Sequence, residues 1–128
     1  MSVREPISTP DAPAAIGPYS QAVLYGDLLY CSGQIPLDAA SGELLSGTLG
    51  EETTRCLENL EAICSAAGTS LARALRMTVY TTNLEAFAEI NEAYAVFFPA
   101  EPPARSAVGV AALPKGARVE VDAIVAIE

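Results

Sequence analysis

The sequence predicts an α+β fold with one mixed β-sheet and both helices on one face of it, in a single domain covering residues 1–128. Three observations lead to this prediction. Two segments carry apolar residues at helical spacing, apolar strands precede and separate them, and two further strands close the chain without a helix between them. Because strands and helices alternate only in part, a doubly wound parallel sheet is not expected.

The first third of the chain predicts three strands. A short edge strand is expected within residues 3–8, and a hairpin is expected from Ser20–Tyr25 and Leu28–Ser32, because the Gly-Asp pair between them suits a tight turn. Gly33 follows directly. A glycine there indicates either the close approach of another group to the backbone or a plain β-bulge.

The first helix is predicted over Leu49–Ala67. Thr48 and Glu51 have the spacing of a capping box, and Gly68 is the expected stop. The apolar stripe that should face the core comprises Cys56, Leu57, Leu60, Ile63, Cys64 and Ala67.

A half-buried strand is predicted over Leu75–Thr82, followed by a second helix over Leu84–Phe98 with Asn83 as its cap. The apolar stripe of this helix consists of Phe87, Ile90, Tyr94 and Phe97. Asn91 lies on the same side as this stripe, so its amide needs a hydrogen-bond partner, which a neighbouring subunit could supply.

The last two strands, about Ala104–Ala112 and Ala117–Ile127, are separated by a Leu-Pro-Lys-Gly breaker. Each carries one charged residue that is costly to bury unpaired, Arg105 and Glu120. In a simple hairpin the two side chains would share a face, offset by roughly 13 Å along the strands. That separation is too long for a direct ion pair within the hairpin, and it would accommodate a small ligand or a contact across a subunit boundary.

Arg105 has two interpretations. Its guanidinium, flanked by small residues on a rigid strand, is suited to bind a carboxylate through two parallel hydrogen bonds, or else it forms a structural ion pair with Glu120 or Asp122. Glu120 is correspondingly either that partner or an acid–base group, whose pKa desolvation would raise and a nearby arginine would lower. The sequence leaves both alternatives open.

Tyr19 and Ser32 are further candidate site residues. Tyr19 follows a Gly-Pro turn, from which its hydroxyl could donate to a carbonyl or an imine, although an ordinary packed tyrosine has the same signature. Ser32 and Gly33, at the end of a strand, could present backbone groups to a ligand. Taken together, these candidates indicate a binding site for a small acid.

The composition excludes several classes of function. A net charge of −9 opposes binding to nucleic-acid phosphates, and the absence of histidine excludes a Ser-His or Cys-His dyad and a His-ligated metal. No apolar run is long enough to span a membrane, and the N-terminus lacks the apolar core of a signal peptide, which predicts a cytoplasmic protein. Cys31, Cys56 and Cys64 show no CxxC spacing and are interpreted as reduced packing residues.

The sheet face opposite the helices also needs a cover. Val108–Leu113 and Ala123–Ile127 are apolar at consecutive positions, so both faces of these strands carry apolar side chains. A domain of this size has no third layer to offer. We therefore expect self-association through the open face, with cyclic symmetry.

Four blocks of the sequence resemble the RidA/YjgF family of reactive-intermediate deaminases. They are Ala14–Ala22 with its Gly-Pro-Tyr-Ser motif, Ser32–Pro36, Asn91–Phe98, and Pro102–Ile124 with its Pro-Ala-Arg-Ser motif, in collinear order. The resemblance implies a homotrimer of a chorismate-mutase-like fold, with a barrel-like core and three clefts between subunits. It also implies hydrolysis of 2-aminoacrylate-type enamines and 2-imino acids to 2-keto acids and ammonia, without a cofactor or metal.

The same resemblance implies roles for individual residues. Arg105 would hold the substrate carboxylate, Glu120 would position or activate water, and Tyr19 would help orient the substrate. The other implied cleft residues are Ser32, Gly33, Phe87, Asn91 and Ala107, the last in place of a cysteine that many members carry. Two alternatives stay open: a non-enzymatic ligand-binding or chaperone-like trimer, which would keep the same arginine, and an endoribonuclease, which the acidic charge and the absence of histidine disfavour.

Overall fold

A computed structural model of the chain describes residues 3–128, so the first two residues of the predicted domain lie outside it. The described chain forms six strands and two α-helices in an α+β arrangement. The elements are β1 Glu5–Ile7, β2 Ala22–Tyr25, β3 Leu28–Gln34, α1 Leu49–Ala66, β4 Ala74–Thr81, α2 Phe87–Ala95, β5 Ala104–Gly109 and β6 Val119–Ala126.

All six strands belong to one mixed sheet in the order β1-β2-β3-β6-β4-β5. β4 and β5 are parallel, and every other neighbouring pair is antiparallel. Parallel pairing needs a crossover between the strands, and α2 supplies it. The helices pack side by side on one face of the sheet, as the sequence predicts, and the opposite face is open.

The core lies between the sheet and the two helices. β6 is at the centre of the sheet, and every second residue of it is buried. The same alternation on β4 buries Met77, Val79 and Thr81, as predicted. These side chains pack against the apolar stripe of α1, in which Cys56, Leu57, Leu60, Ile63 and Cys64 are buried.

The first helix begins at the predicted residue and ends at Ala66, one residue before the predicted end, with the expected signals at both ends. The Thr48 hydroxyl accepts a hydrogen bond from the Glu51 amide at 3.1 Å, and the Glu51 carboxylate accepts one from the Thr48 amide at 2.8 Å, which completes the capping box. Gly68 has a φ of +82°, a left-handed conformation that glycine adopts without steric cost and that ends the helix.

The second helix is shorter than predicted, because its two ends are tighter than α-helical. Residues 84–86 form a 3-10 turn, and the side chain of Asn83 makes no capping hydrogen bond to it. At the other end, the amides of Phe97 and Phe98 donate to the carbonyls three residues back. The regular α-helix therefore spans Phe87–Ala95 rather than Leu84–Phe98.

The hairpin considered for the last two strands does not form. β6 lies between β3 and β4, and β5 is at the edge of the sheet, on the far side of β4. The side-chain pattern explains this order. β6 presents buried valines at alternate positions, which suit a central strand, whereas β5 presents Arg105, Ala107 and Gly109 toward the helices and is exposed along most of its length.

Cys31, Cys56 and Cys64 are free and buried, which confirms their interpretation as packing residues. Within residues 3–128, no helix combines the length and apolar character that a membrane crossing requires.

An ion pair that the sequence analysis missed joins the residue directly before β6 to the first turn of α1. Arg118 donates from Nε to Oε1 of Glu52 at 3.1 Å, from Nη2 to Oε2 at 2.8 Å, and from Nη2 to the Gly47 carbonyl at 3.0 Å. Glu52 is 6% exposed. The hydrogen bonds to Glu52 raise the pKa of Arg118 further above its ordinary value. This contact joins the start of the central strand to the first turn of the helix above it.

We predict that Arg118→Met lowers the free energy of unfolding by about 2 kcal/mol, because it leaves the buried Glu52 carboxylate without its partner. Urea denaturation measures the effect. Arg55→Met is the matched control, since Arg55 bonds Asp38 and Glu58 on the surface and its loss should cost less than about 1 kcal/mol. Equal effects of the two changes would contradict the structural role of the Arg118 pair.

Candidate functional site

Glu120 lies on the open face of the sheet, in a cavity of about 390 Å³ that we call the Glu120 cavity. Its lining residues are Pro13, Ala14, Ile16, Tyr19, Ser32, Gly33, Gln34, Ile35, Leu37, Pro114 and Glu120. Four of the residues predicted from the sequence, Tyr19, Ser32, Gly33 and Glu120, therefore come together in one concave site. Arginine and lysine are absent from this lining.

A β-bulge shapes the floor of the Glu120 cavity. Cys31 pairs with Ala123 and Gln34 with Val121, so Ser32 and Gly33 occupy the length of a single residue on β6. The bulge bends the end of β3 away from regular pairing. It also confirms one of the two interpretations of Gly33.

Gly33 lies against the Glu120 carboxylate, which confirms the other interpretation as well. A methyl group at position 33 would overlap the carboxylate oxygen of Glu120. The missing side chain thus lets the carboxylate lie directly over the bulged backbone. Any substitution at position 33 would displace the Glu120 side chain.

The bulge is connected to the loop that carries Tyr19. The Ser32 hydroxyl donates to the Ser20 carbonyl at 2.6 Å, and the Ser32 amide donates to the Gln21 carbonyl at 2.9 Å. Ser32 therefore holds the loop against the strand, and its hydroxyl proton is already used. Its role is to position the cavity wall more than to contact a ligand through the hydroxyl.

Gln21 organises the remainder of this wall, and sequence reasoning missed it. It is buried, accepts from the Thr9 amide at 2.7 Å, and donates to the carbonyls of Thr9, Ala12 and Pro13 at 3.1, 3.3 and 2.8 Å. These bonds satisfy loop groups that have no sheet partner. The glutamine directly after the Gly-Pro-Tyr-Ser motif was the available signal, and its burial is seen only in the structure.

Tyr19 projects from a tight turn in which its amide donates to the Gly17 carbonyl at 2.8 Å. The side chain is 48% exposed, and its hydroxyl has one long contact, as acceptor from the Ile16 amide at 3.4 Å. This exposure is unlike that of an ordinary packed tyrosine. The hydroxyl proton remains free to donate to a group in the cavity.

The surroundings of Glu120 favour its protonated form. Burial among apolar groups raises the pKa of Glu120, and the negative charge of Asp122, two residues along the same face, raises it further. Tyr80 faces Glu120 across the β4–β6 pair, and its hydroxyl donates to Oδ2 of Asp122 at 3.0 Å. Burial and this hydrogen bond raise the pKa of Tyr80. Sequence reasoning missed Tyr80 and Asp122 as neighbours of the site, although alternation places all three on one face.

Arg105 lies on the other face of the sheet. It pairs with Met77 of β4, whereas Glu120 pairs with Tyr80, and residues an odd number apart on a strand point to opposite faces. The expectation that Arg105 and Glu120 share a face is therefore wrong. Within residues 3–128, Arg105 forms no salt bridge, so the suggested ion pair with Glu120 or Asp122 is also wrong.

Arg105 is exposed, and neutral groups surround it. Its Nη1 donates to Oδ1 of Asn91 at 2.8 Å, and its guanidinium carbon lies 4.7 Å from the ring centre of Tyr94 and 5.2 Å from that of Phe87. The predicted residues Phe87 and Asn91 are thus brought to Arg105. Ala107 follows on the same face of β5, because it pairs with Val79.

A second cavity of about 450 Å³, the Arg105 cavity, opens beside the guanidinium. It is lined by Asn91, Tyr94, Ala95, Phe98, Pro102, Pro103 and Arg105. The Tyr94 hydroxyl is buried and, in the part of the chain that the structure describes, has no hydrogen-bond partner. Tyr94 was expected to be only an apolar residue of the α2 stripe, so its contact with Arg105 was missed.

The candidate residues therefore form two half-sites on opposite faces of the sheet. One half-site holds the Glu120 carboxylate, whose pKa is raised, and the free hydroxyl of Tyr19. The other half-site holds the Arg105 guanidinium, which has no counter-ion within residues 3–128. From Val3 to Glu128, no three His, Cys, Asp or Glu side chains come together as a metal-binding group.

Comparison with known proteins identifies the family. The sequence model of the family described as Endoribonuclease L-PSP matches residues 9–127. The chain belongs to the RidA/YjgF family. The resemblance of the Gly-Pro-Tyr-Ser and Pro-Ala-Arg-Ser blocks to this family is thereby confirmed.

Three RidA/YjgF relatives match nearly the full length of the chain. A RutC family protein of Sinorhizobium fredii is 52% identical over 96% of this chain and 98% of its own. A 2-iminobutanoate/2-iminopropanoate deaminase of Bos taurus is 48% identical over 95% of this chain and 89% of its own. The crystal structure of E. coli TdcF with bound serine superimposes with a TM-score of 0.90 at 42% identity, covering 95% of this chain and 98% of TdcF.

We predict that Asp122→Asn lowers the pKa of Glu120, because it removes the nearby negative charge that disfavours the ionised carboxylate. Burial remains, so the pKa stays above its ordinary value. A carboxyl NMR titration of Glu120 measures the change. Asp27→Asn, which removes one negative charge from the turn between β2 and β3, should leave the Glu120 titration unchanged; identical shifts in both variants would assign the effect to net charge.

Proposed function

We propose that this protein hydrolyses small 2-imino acids, and the enamines that tautomerise to them, to 2-keto acids and ammonia in clefts between identical subunits. One observation carries the proposal. Arg105 and Glu120 lie on opposite faces of the sheet, each in a cavity of its own and neither neutralised by an ion pair within residues 3–128. Such half-sites become a complete site when the Arg105 face of one copy meets the Glu120 face of another.

Packing of the open sheet face of one copy against the β5 edge of the next copy, where Arg105 lies, would bring the half-sites together. That face exposes Tyr25, Tyr30 and Val108, which are 52%, 45% and 39% exposed. Burying such a surface between copies is favourable, and a closed cyclic assembly uses the same contact in every subunit. We propose a homotrimer with three equivalent clefts.

Arg105 would bind the substrate carboxylate. Its Nη1 is directed to Asn91, and its other N–H groups remain available for two parallel hydrogen bonds to a carboxylate. Fixing this end of the substrate places C2, the carbon of the imine, at a defined position. Such positioning supplies a large part of the rate enhancement in many enzymes.

Glu120 would act first as a base and then as an acid. Its carboxylate accepts a proton from the attacking water as the water oxygen bonds to C2, and the imine nitrogen takes up a proton from bulk solvent, which gives a tetrahedral carbinolamine. The protonated Glu120 then donates its proton to the nitrogen as the C–N bond breaks, and ammonia leaves. The hydroxyl of the carbinolamine loses its proton to solvent to form the keto group, which returns the proton taken up by the imine, so one water is consumed for each ammonia released.

The raised pKa of Glu120 suits this double role. A group that gains and loses a proton in one cycle works best when its pKa lies near the operating pH. The Tyr19 hydroxyl, on the same cavity wall, would orient the substrate by donating a hydrogen bond to it. An imine is already an electrophile, so the proposed reaction requires neither a nucleophilic side chain nor a metal.

The relatives support this proposal. The bovine relative at 48% identity is a 2-iminobutanoate/2-iminopropanoate deaminase, and TdcF holds serine, an amino acid of the size that the proposed substrates have. Ala107 stands near Arg105 where many members carry cysteine, so this chain would work without a thiol there.

Endoribonuclease activity is the second candidate, because the family description names it. Two features disfavour it: the net charge of −9 repels phosphates, and the lining of the Glu120 cavity offers no arginine or lysine to bind them. A third candidate, a trimer that binds keto acids without catalysis, would keep the same residues, and a turnover assay separates it from the enzyme.

We predict that Arg105→Ala lowers kcat/KM for 2-iminopropanoate by about 100-fold, because the carboxylate loses its partner. The imine is generated in the assay by oxidation of alanine, and ammonia release is measured above the spontaneous rate. Arg73→Ala, which removes an exposed arginine from the turn before β4, is the matched control and should keep full activity. Full deaminase activity in the Arg105→Ala protein would refute the proposed mechanism, and an inactive native protein would favour the binding-only candidate.

We predict that Glu120→Gln lowers kcat by about 100-fold or more, while the affinity for 2-oxobutanoate, a keto-acid product, changes by less than about threefold. The amide keeps the size of the side chain and loses the basic oxygen. Single-turnover kinetics and product titration measure the two quantities. Parallel losses in both would make Glu120 a binding residue.

A further inference from the structure

We propose that Asn91 is a positioning residue that orients Arg105 through a neutral acceptor and so leaves the guanidinium charge free for the substrate carboxylate. This inference rests on the proposed function. It adds a requirement on the hydrogen-bond partner of Arg105 at position 91: this side chain must accept a hydrogen bond and must carry no charge.

The guanidinium is held from three directions. The Asn91 oxygen accepts from Nη1 at 2.8 Å, and the rings of Tyr94 and Phe87 lie at 4.7 and 5.2 Å from the guanidinium carbon. A free arginine side chain has about 2 kcal/mol of rotamer entropy to lose on binding. Because these contacts already restrict it, less of that entropy is lost when a carboxylate binds.

None of these three groups neutralises the charge. The ring faces attract the cation through their quadrupoles, and the amide oxygen is a dipole. Two other arginines provide the contrast, since Arg55 and Arg118 are both paired with carboxylates. Arg105 is held by one hydrogen bond and two ring contacts, and it forms no salt bridge with any residue from Val3 to Glu128.

The contact also fixes the direction of the Asn91 amide. A guanidinium offers donors alone, so the amide oxygen must face it and the amide NH₂ must point elsewhere. Within residues 3–128 this NH₂ donates to no protein group, and Asn91 is exposed. The NH₂ is therefore left without a protein partner in residues 3–128, at a residue that lines the Arg105 cavity together with the guanidinium.

Asn91→Asp separates this role from a purely structural one. Aspartate keeps the shape and the accepting oxygen, and it would hold the guanidinium at least as tightly. It would also form an ion pair with Arg105 and remove the donor NH₂. We expect Kd for 2-oxobutanoate to rise by about tenfold or more, since an uncompensated charge-assisted contact contributes about that factor.

Three further variants make the result decisive. Asn91→Ala removes the acceptor without adding charge, so its Kd should lie between those of the native and Asn91→Asp proteins. Asn83→Asp is the matched control, because it is the same exchange at an exposed residue whose side chain makes no capping bond, and its Kd should be native. Arg105→Ala reports on the proposed function itself.

Calorimetric titration with 2-oxobutanoate, and with the uncharged 2-oxobutanamide, measures all five proteins. The inference predicts that Asn91→Asp weakens the binding of 2-oxobutanoate more than Asn91→Ala does and leaves the binding of 2-oxobutanamide unchanged. Native affinity of the Asn91→Asp protein for 2-oxobutanoate, or a larger loss of affinity in the Asn91→Ala protein, overturns the inference. The proposed function still stands in that case if the Arg105→Ala protein no longer binds 2-oxobutanoate. Native affinity in Arg105→Ala would instead refute the carboxylate role of Arg105 in the proposed function.

Discussion

The position of β6 at the centre of the sheet is the constraint on which the other features depend. Alternating buried residues keep this strand between β3 and β4, and β5 is consequently the parallel edge strand beyond β4. That order places Glu120 on the open face and Arg105 on the helix face. The chemistry proposed for these two residues therefore requires a second copy of the chain.

Each half-site is arranged by its own neighbours. Around Glu120, a bulge without a side chain at Gly33 admits the carboxylate, and burial with the Asp122 charge raises its pKa. Around Arg105, neutral groups restrict the guanidinium without pairing it. An acid–base group whose proton is held more tightly than usual and a cation kept free of counter-ions are the two properties that hydrolysis of an anionic imine needs.

Local patterns predicted the elements well, and they could not predict the strand order. Thr48, Glu51 and Gly68 set the ends of α1, and alternation identified the buried face of β4, because these signals depend on nearby residues. The order β3-β6-β4-β5 depends on contacts distant in sequence, so the hairpin assumed for the last two strands was wrong. The same limit hid the approach of Tyr94 to Arg105. The resemblance to the RidA/YjgF family named residues that lie in both half-sites, and the faces on which they lie came from the structure.

The most direct test of the central claim mixes two inactive variants. Arg105→Ala and Glu120→Gln chains are unfolded together at equal concentration, refolded, and assayed for deamination beside each variant refolded alone. If each cleft takes its arginine from one copy and its glutamate from the next, random assembly restores about one quarter of the native activity per site. Activity no higher than that of the separate variants, in a mixture shown to contain mixed oligomers, would contradict a site shared between copies.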